Sequence, residues 1–360
     1  MKVLFAGGGT LGPVTPLLAV AQAWKKQDSG ISFVWAGTPQ GPERAVVERE
    51  DIPFFAIPVA RFPRYFSLEW LRLPFIFLMA FWKSWLLLSR QKPNAIASAG
   101  GYTSVPVVIA GWLKGIPAWI HQPDLLPLLT NRLLAPFAKR ITVAWPETAR
   151  AFPSSKTFVL GNPARLEVRE GSAKKAVEMF SLNASLPTIL VLGGGGGSQW
   201  INRMMEELAP RLLTRAQVIH QTGKGKEVRR PEAFGERYHV RELLTEEFPH
   251  ALAVADFVLC RAGMGTLTEL AACRKPAILI PLPDSPQEAN AKKAQEIGGA
   301  FRIDQKTATA SSLWQVIETL LDDQEQRQRM GERWGKLFAT DVTKKIIEML
   351  QELGTRARKK

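Results

Sequence analysis

Two apolar strands, each followed at once by a glycine-rich loop, constrain the fold of this chain more than any other feature. Lys2–Ala6 leads into GGGTLG at 7–12, and Thr188–Leu192 leads into five glycines at 193–197. A strand that ends in such a loop and continues into a helix opens a βαβ unit, which builds a parallel sheet with right-handed crossovers. Because Gly7 and Gly193 lie 186 positions apart in a chain of 360 residues, we expect two such domains.

Other apolar runs fit the same alternation of strands and helices. A helix is predicted at 16–24, with proline in its first turn. Further strands are predicted at 31–36, 93–97, 118–121, Gln217–Gln221, Phe257–Cys260 and 277–282. Ligands of open parallel sheets bind at the carboxyl ends of the strands, so the loops there are the candidate sites. The segment GNPAR at 161–165 is the expected domain boundary.

The composition limits the partners of the chain. A formal charge of +14 with only 33 acidic residues favours an anionic partner: nucleic acid, a phosphorylated substrate or acidic lipid. Cys260 and Cys273 are too few for a disulfide framework, and with four scattered histidines they form no metal-ligand spacing. No metal site or cofactor is therefore expected. One lysine and four apolar residues before the glycines do not make a signal peptide, so we expect a cytoplasmic protein.

The segment 61–92 interrupts the alternating pattern, because it is crowded with aromatic residues and leucine and flanked by arginine. One interpretation is a buried helix that covers the first sheet. The other is an interfacial helix that places Trp70, Trp82 and Trp85 at lipid headgroups. Apolar residues occupy more than one helical face, which favours membrane contact. The basic tail RARKK at 356–360 would add attraction to acidic lipids.

The loop at 7–12 has the spacing Gly-x-Gly-x-x-Gly, which by itself is weak evidence for a dinucleotide. A dinucleotide site also needs an acid at the end of the second strand. Here that strand ends VWAGT, and Glu43, the first acid, lies well past it; the corresponding strand of the second half ends VIHQTGKG. A nicotinamide or flavin enzyme is therefore disfavoured. Both loops can instead hold a phosphate through backbone N–H groups at a helix N-terminus.

The segment CRAGMGTLTELAA at 260–272 follows a strand and begins a helix. Thr266 and Glu269 have capping-box spacing, which is one interpretation. In the other, Glu269 accepts hydrogen bonds from ribose hydroxyls. Gln287 and Asn290 follow the next strand, and amides at that edge suit sugar hydroxyls because they both donate and accept.

These segments together resemble the MurG family. GGTLGPVTP resembles the family pattern GGTGGHxxP, and residues 97–124 resemble GGYxSxPxxxAxxxxxIPxxxHEQN. The segments LTNRLLA, GNPAR, HQTGKG, RAGMGTLTELAA and Gln-x-x-Asn-Ala also have counterparts, in the same order. The resemblance implies two Rossmann-like domains that face each other across a cleft, the glycosyltransferase B type. It implies a N-terminal acceptor and membrane domain of 1–161 plus 341–360, and a UDP-sugar domain of 162–340.

The activity that the resemblance implies is metal-independent, inverting transfer of N-acetylglucosamine from its UDP derivative to lipid I, which yields lipid II. The enzyme would work as a peripheral protein at the cytoplasmic face of the bacterial cell membrane. The implied ribose ligand is Glu269, Arg165 meets the donor phosphates, and Gln287 reads sugar hydroxyls beside Asn290. The remaining implied contacts are those of Leu244 with uracil, Met264 and Gly265 with the diphosphate, and Thr10, Gly12, Asn131, Gly195 and Gly196 with substrate.

Three departures from the family pattern lie at candidate sites. Gly195 and Gly196 stand where GGSQGA has serine and glutamine, Pro13 replaces a histidine of the first loop, and HEQN reads HQPD at 121–124. Proline has no titratable group, so a general base has to come from elsewhere. Our prediction is Asp124, with His121 as the alternative base. The competing interpretation of Asp124 is a helix cap at Leu125.

Three other functions stay open at this point. A related transferase could use another lipid or a natural-product acceptor. A non-catalytic protein could bind UDP-sugar and regulate wall synthesis. An RNA-binding protein fits the charge alone and lacks an aromatic–basic recognition motif, so nucleic acid is not the expected partner.

Overall fold

The computed structural model describes residues 1–59, 69–226, 232–337 and 341–357. The chain forms two compact units. The first unit comprises Met1–Arg165 together with the C-terminal segment, and the second begins at Leu166. The chain thus enters the second unit directly after GNPAR and returns to the first unit for its last helix.

In the described part of the first unit, seven parallel strands form one sheet in the order β3-β2-β1-β4-β5-β6-β7. The strands are β1 (Lys2–Ala6), β2 (Ser32–Gly37), β3 (Phe54–Ala56), β4 (Ala95–Ser98), β5 (Ala118–Gln122), β6 (Arg140–Val143) and β7 (Thr157–Val159). The helices before the boundary are α1 (Thr15–Gln27), α2 (Glu43–Glu48), α3 (Glu69–Gln91), α4 (Ser104–Leu113) and α5 (Leu129–Leu134).

In the described part of the second unit, six parallel strands form a sheet in the order β10-β9-β8-β11-β12-β13. They are β8 (Thr188–Leu192), β9 (Gln217–Gln221), β10 (Tyr238–Arg241), β11 (Phe257–Cys260), β12 (Ala277–Leu279) and β13 (Ala300–Arg302). The helices are α6 (Ala173–Phe180), α7 (Gln199–Leu212), α8 (Phe248–Val254), α9 (Met264–Ala272), α10 (Gln287–Ile297), α11 (Ala310–Asp322) and α12 (Gln324–Gly335). The last helix, α13 (Val342–Ala357), packs against α1 of the first unit.

The fold class predicted from the two strand–glycine openings is confirmed. Strands β1, β8, β9 and β11 have the predicted bounds, and β2, β4 and β5 differ from them only at their ends. The predicted strand 277–282 ends earlier, at Leu279. Strands β1 and β8 are almost entirely apolar, and β1, β8 and β9 are buried along almost their whole length, as expected for parallel strands that helices cover on both faces.

Helix α3 packs one face against the core of the first unit and exposes its other face. Ala80, Ser84 and Leu88 are at most 1% exposed, whereas Phe75 and Trp82 are 74% and 62% exposed. The interpretation of this segment as an ordinary buried helix is therefore wrong for its outer face. Residues 60–68, the side chain of Trp70 and the side chains of the tail RARKK lie outside the described residues.

Among the described residues, α3 is also the one helix with the length and composition to cross a membrane. An apolar window within Leu73–Gln91 has a mean hydropathy of 1.2, and 22% of that window is buried in the fold. A largely exposed apolar window distinguishes α3 from the core helix of a soluble domain.

Each unit buries one neutral histidine. Burial lowers the pKa of His121 in the first unit from its ordinary value of 6.5 to about 4. Burial likewise lowers the pKa of His220, on β9 of the second unit, to about 3. His220 Nδ1 lies 2.7 Å from the Tyr238 hydroxyl. Between the lowered and ordinary values the unfolded chain binds a proton that the folded chain does not, so stability falls as the pH drops below about 6.5.

We expect acidification from pH 7.5 to 5 to cost each unit about 2 kcal/mol through its buried histidine. His220→Gln should remove that loss from the second unit alone, and His121→Gln from the first. Urea unfolding, followed by hydrogen exchange on peptides of each unit at both pH values, measures the two losses separately. An unchanged loss in the second unit of His220→Gln would show that another group controls its pH dependence.

Candidate active site

The first glycine loop connects β1 to α1 and leaves backbone donors available. Within the described residues, the N–H groups of Thr10, Leu11 and Gly12 have no protein acceptor. Thr10 and Gly12 are also exposed. The loop can therefore donate to an anion through its backbone. Pro13, directly after it, is buried and supplies no titratable group.

A buried carboxylate holds this loop in shape. Glu43, the first residue of α2, is fully buried, and its Oε2 accepts from the Gly9 N–H at 3.2 Å. Its Oε1 accepts from the Thr38 N–H at 2.7 Å and from the Thr38 hydroxyl at 2.5 Å. A Cβ at Gly8 or Gly41 would collide with this carboxylate. Glu43 therefore organises the loop through its backbone, a role that the sequence analysis did not assign.

The loop after β4 lies directly against the first glycine loop. Gly100 and Gly101 have φ values of +103° and +91°, and a Cβ at Gly101 would lie 2.8 Å from the Gly8 carbonyl oxygen. Only glycine fits this contact between two backbones. Strands β1, β4 and β5 are neighbours in the sheet, so their following loops share one edge.

His121, near the end of β5, has both ring nitrogens engaged. Nδ1 lies 2.8 Å from the Thr142 hydroxyl, and Nε2 lies 2.7 Å from Asn162 Oδ1. The Trp119 indole N–H already donates to Thr142 Oγ1 at 3.0 Å. Because Asn162 Oδ1 can only accept, Nε2 carries the proton and the Thr142 hydroxyl donates to Nδ1.

This arrangement makes His121 a positioning residue for the segment 161–165. It has no exposed surface, and its pKa is lowered by burial to about 4. A general base needs a free basic atom within reach of the substrate. With both ring nitrogens engaged, His121 does not fit the role of general base.

Asp124 lies in the loop between β5 and α5, and it is half-buried. The alternative interpretation of Asp124 as a cap at Leu125 is wrong, because α5 begins at Leu129 with Leu128 at its N-cap. Asn131, predicted to contact substrate, is fully buried; its Nδ2 donates to the His121 carbonyl and to Gln122 Oε1, each at 2.8 Å. Asn131 therefore joins α5 to the end of β5.

The second glycine loop, between β8 and α7, has a similar construction. Gly197 has a φ of +69°, and a Cβ at this position would collide with the backbone of Thr222 and Gly223. The Lys226 ammonium donates to the carbonyls of Gly196 at 2.6 Å and Gly197 at 3.0 Å. Gly195 and Gly196 are exposed, so this loop can approach a ligand through its backbone.

Arg261, which the sequence analysis did not assign, connects this loop to the next strands. Its guanidinium donates to Ser198 Oγ at 2.7 Å and to the Ile280 carbonyl at 3.0 Å. Ser198 also caps α7 by accepting from the Ile201 N–H. Arg261 also donates to Gln305 at 2.7 Å. From the end of β11 it therefore connects the segments that follow β8, β12 and β13.

The capping-box interpretation of Thr266 and Glu269 is wrong. Helix α9 begins at Met264 with Gly263 at its N-cap, so both residues lie inside the helix. Glu269 is 5% exposed. Met264 and Gly265 form the first turn of α9, where backbone N–H groups are free of helical partners. This leaves the ribose interpretation of Glu269 as the remaining one from the sequence.

The other residues predicted to bind the donor lie on α10, after β10 or at the boundary between the units. Gln287 begins α10, and its Oε1 accepts from the Leu282 N–H at 3.0 Å. Asn290 is fully buried and donates to the Ala262 carbonyl at 3.4 Å. The Leu244 N–H donates to Gln221 Oε1 at 3.0 Å. The backbone group of Leu244 that could contact uracil is therefore its carbonyl. Arg165 is half-buried at the end of the first unit.

Two Rossmann-like units, each with a glycine loop that offers backbone donors at the end of its central strand, suit the binding of diphosphate groups. Two family models show the class of protein, which is that of the family 28 glycosyltransferases. Residues 3–143 match the glycosyltransferase family 28 N-terminal domain, and residues 188–346 match the glycosyltransferase family 28 C-terminal domain.

Relatives cover the chain nearly from end to end. It is 35% identical over 328 residues, 90% of this chain and 92% of the relative, to UDP-N-acetylglucosamine–N-acetylmuramyl-(pentapeptide) pyrophosphoryl-undecaprenol N-acetylglucosamine transferase 3 of Bacillus thuringiensis (strain Al Hakam). The similarly named transferase of Geobacillus kaustophilus is 33% identical, with 98% of each chain covered. The crystal structure of Acinetobacter baumannii MurG superposes with a TM-score of 0.74 at 27% identity, over 98% of this chain and 99% of the other. The chain belongs to the MurG family.

Proposed function

We propose that this protein transfers N-acetylglucosamine from UDP-N-acetylglucosamine to lipid I, the undecaprenyl-diphosphate-linked muramyl peptide, and so forms lipid II. The observation that carries the proposal is the near-complete match to relatives named for this transfer. The glycine loops of both units suit it, because the donor and the acceptor each carry a diphosphate that backbone N–H groups can hold.

In this proposal the second unit and Arg165, the residue directly before it in the chain, bind the donor, and the rest of the first unit binds the acceptor. Glu269 accepts hydrogen bonds from the ribose hydroxyls, while Arg165 and the first turn of α9 meet the diphosphate. An acceptor hydroxyl attacks the anomeric carbon as the bond from that carbon to the UDP oxygen breaks. UDP leaves with the bonding electrons, the hydroxyl proton passes to Asp124, and the anomeric configuration inverts.

Purified protein incubated with radiolabelled UDP-N-acetylglucosamine and lipid I tests the proposal, with lipid II as the expected product. Label released as free sugar, or carried only by a different acceptor, would contradict the assignment of lipid I. Protein that binds UDP but transfers no label to any acceptor would favour the non-catalytic alternative.

The donor site has its own test in Glu269→Ala. We expect this variant to bind UDP more weakly by about 1–3 kcal/mol, because charge-assisted hydrogen bonds to the ribose are lost. Calorimetry measures the affinity, and Glu296→Ala, a change at an exposed carboxylate of the same unit, is the control. Unchanged UDP affinity in folded Glu269→Ala protein would remove Glu269 from the donor site.

We propose further that the first unit binds the anionic membrane surface through an apolar face. Helix α4 packs against both α3 and α5, and all three helices expose large apolar side chains. This α3–α5 surface consists of Phe75, Phe77, Leu78, Met79, Trp82, Leu86, Trp112, Leu113, Leu129 and Leu133. Exposed apolar surfaces of this extent mark protein or membrane contacts, and a lipid-linked acceptor requires the latter.

Trp82→Ser and Phe75→Ser are each expected to weaken vesicle binding roughly tenfold, since each side chain contributes about 1–2 kcal/mol when it leaves water. Sedimentation with phosphatidylglycerol–phosphatidylcholine vesicles measures the effect, and binding should also decrease as salt screens the charges. Met179→Ser, at a 45% exposed position of the second unit, is the matched control. Equal binding by all these variants would show that the surface does not contact lipid.

A further inference from the structure

One buried side chain organises the loop that carries Asp124. Residues 123–128 form no helix or strand, yet four hydrogen bonds connect Gln122 to this loop and its following helix. Gln122 Nε2 donates to the carbonyls of Asp124 at 2.9 Å and Leu126 at 3.0 Å. Gln122 Oε1 accepts from the Leu128 N–H at 3.1 Å and from Asn131 Nδ2 at 2.8 Å.

The orientation of this amide is determined by its backbone partners. Two carbonyl oxygens can only accept and the Leu128 N–H can only donate, so Nε2 and Oε1 cannot exchange places. Gln122 is fully buried, and these four bonds use both of its N–H groups and both acceptor positions of its oxygen. The family pattern HEQN has glutamate at this place, followed by glutamine and asparagine. In this chain, where Pro123 and Asp124 follow, an ionised glutamate would direct a carboxylate oxygen at two carbonyls and leave no donor for them.

We infer that Gln122 is the positioning residue of the Asp124 loop, and its catalytic consequence rests on the proposed function. The bond to the Asp124 carbonyl fixes the backbone from which the carboxylate extends. The bonds to Leu128 and Asn131 fix the other end of the loop at the start of α5. His121, the adjacent residue, makes its side-chain bonds to Thr142 and Asn162 instead. Successive residues of β5 therefore fix two different segments.

Gln122→Glu tests this inference through the pH. The groups that hydrogen-bond the side chain are three backbone groups and the Asn131 amide, and the titratable residues next to them in the chain are His121 and Asp124. Burial against two carbonyl oxygens disfavours the ionised glutamate. Its protonated form can donate to one carbonyl and accept at its other oxygen, and so restores part of the glutamine pattern. Wild-type protein has no titratable group at this position.

We expect kcat of Gln122→Glu for lipid I to fall on the order of 10–100-fold at pH 7.5, because the reacting group is misplaced. The ratio of variant to wild-type kcat should rise as the pH is lowered to 6, while KM for UDP-N-acetylglucosamine stays unchanged. Gln122→Met, similar in size and without hydrogen bonds, should show the same loss with no recovery at low pH. Gln351→Glu, an exposed change on α13 of the same unit, should behave as wild type.

Hydrogen exchange gives a readout that needs no substrate. In Gln122→Glu and Gln122→Met the peptide covering 123–128 should exchange faster than in wild type, with UDP affinity preserved as evidence of a folded second unit. Wild-type exchange in both variants would overturn the positioning role. If wild-type protein transfers no sugar to lipid I, the proposed function fails, while the exchange measurement still decides whether Gln122 orders the loop.

Discussion

Asp124→Asn is expected to lower turnover with lipid I by about 10²–10⁴-fold, the usual contribution of a general base, while UDP affinity stays unchanged. The asparagine amide has nearly the shape of the carboxyl group and cannot accept the proton of the attacking hydroxyl. Steady-state transfer from radiolabelled UDP-N-acetylglucosamine measures turnover, and calorimetry measures UDP binding. The backbone carbonyl of residue 124, which Gln122 holds, is unaltered by the change.

Asp51→Asn is the matched control, because Asp51 is exposed in the same unit and its φ of +53° is one that asparagine adopts readily. Near-full turnover in Asp124→Asn would show that the carboxylate is not the base. An increase in wild-type turnover on Pro13→His would instead indicate that the chain has lost a base at the first loop and has not moved it.

Glu43→Gln is expected to disrupt the first glycine loop and to raise KM for lipid I with a roughly tenfold to hundredfold loss of kcat/KM. A glutamine can still accept from Thr38 at one end, but its amide nitrogen then faces the Gly9 N–H, and two donors meet in a buried site. An unsatisfied buried donor costs about 1–3 kcal/mol, and each 1.4 kcal/mol corresponds to a factor of ten. We expect the loop that carries the Thr10, Leu11 and Gly12 donors to move so that these two donors separate.

Glu48→Gln is the control for this change. Glu48 lies on the same helix and pairs with Arg44 at 2.8 Å, but its side chain is 49% exposed. An exposed pair of this kind contributes little, so its loss should leave kcat/KM within a factor of two or so. Equal behaviour of Glu43→Gln and Glu48→Gln would show that the buried carboxylate does not organise the first glycine loop.

The sheets were predictable because their central strands combine continuous apolar runs with glycine loops. TILVL at β8 and FVLC at β11 are buried along their whole length, and short continuous apolar runs followed by glycine-containing loops are typical of buried parallel strands. The short strands β3, β7 and β13 have three residues each, and their side chains are partly exposed, so no comparable run distinguishes them from loops.

The residues that shape the site were harder to predict, because their contacts join distant positions. From the sequence alone, Glu43 could be considered only as a ribose ligand. Its hydrogen bond to the Gly9 N–H, 34 residues earlier, cannot be inferred from its position in the chain. Arg261 likewise contacts Ser198 across 63 residues. The helix caps proposed for Asp124 and Glu269 failed for a different reason: local spacing allowed them, but the helices begin elsewhere, at Leu129 and Met264. Among the candidate ligands, Glu269, Gln287 and Asn290 could be proposed from their places after strands, and the others came from the family resemblance.

Because the chain returns to its first unit, the second unit is one continuous segment and the first unit is built from two. From Leu166 to the end of α12 the second unit is one uninterrupted stretch, which is inserted into the chain of the first unit. The first unit contains segments from both sides of this insertion: α13 packs on α1, and a Cβ at Gly354 would lie 3.0 Å from the Met1 sulfur. The first unit therefore gains its contact between α1 and α13 only when α13 is synthesised, although most of that unit leaves the ribosome before the second unit.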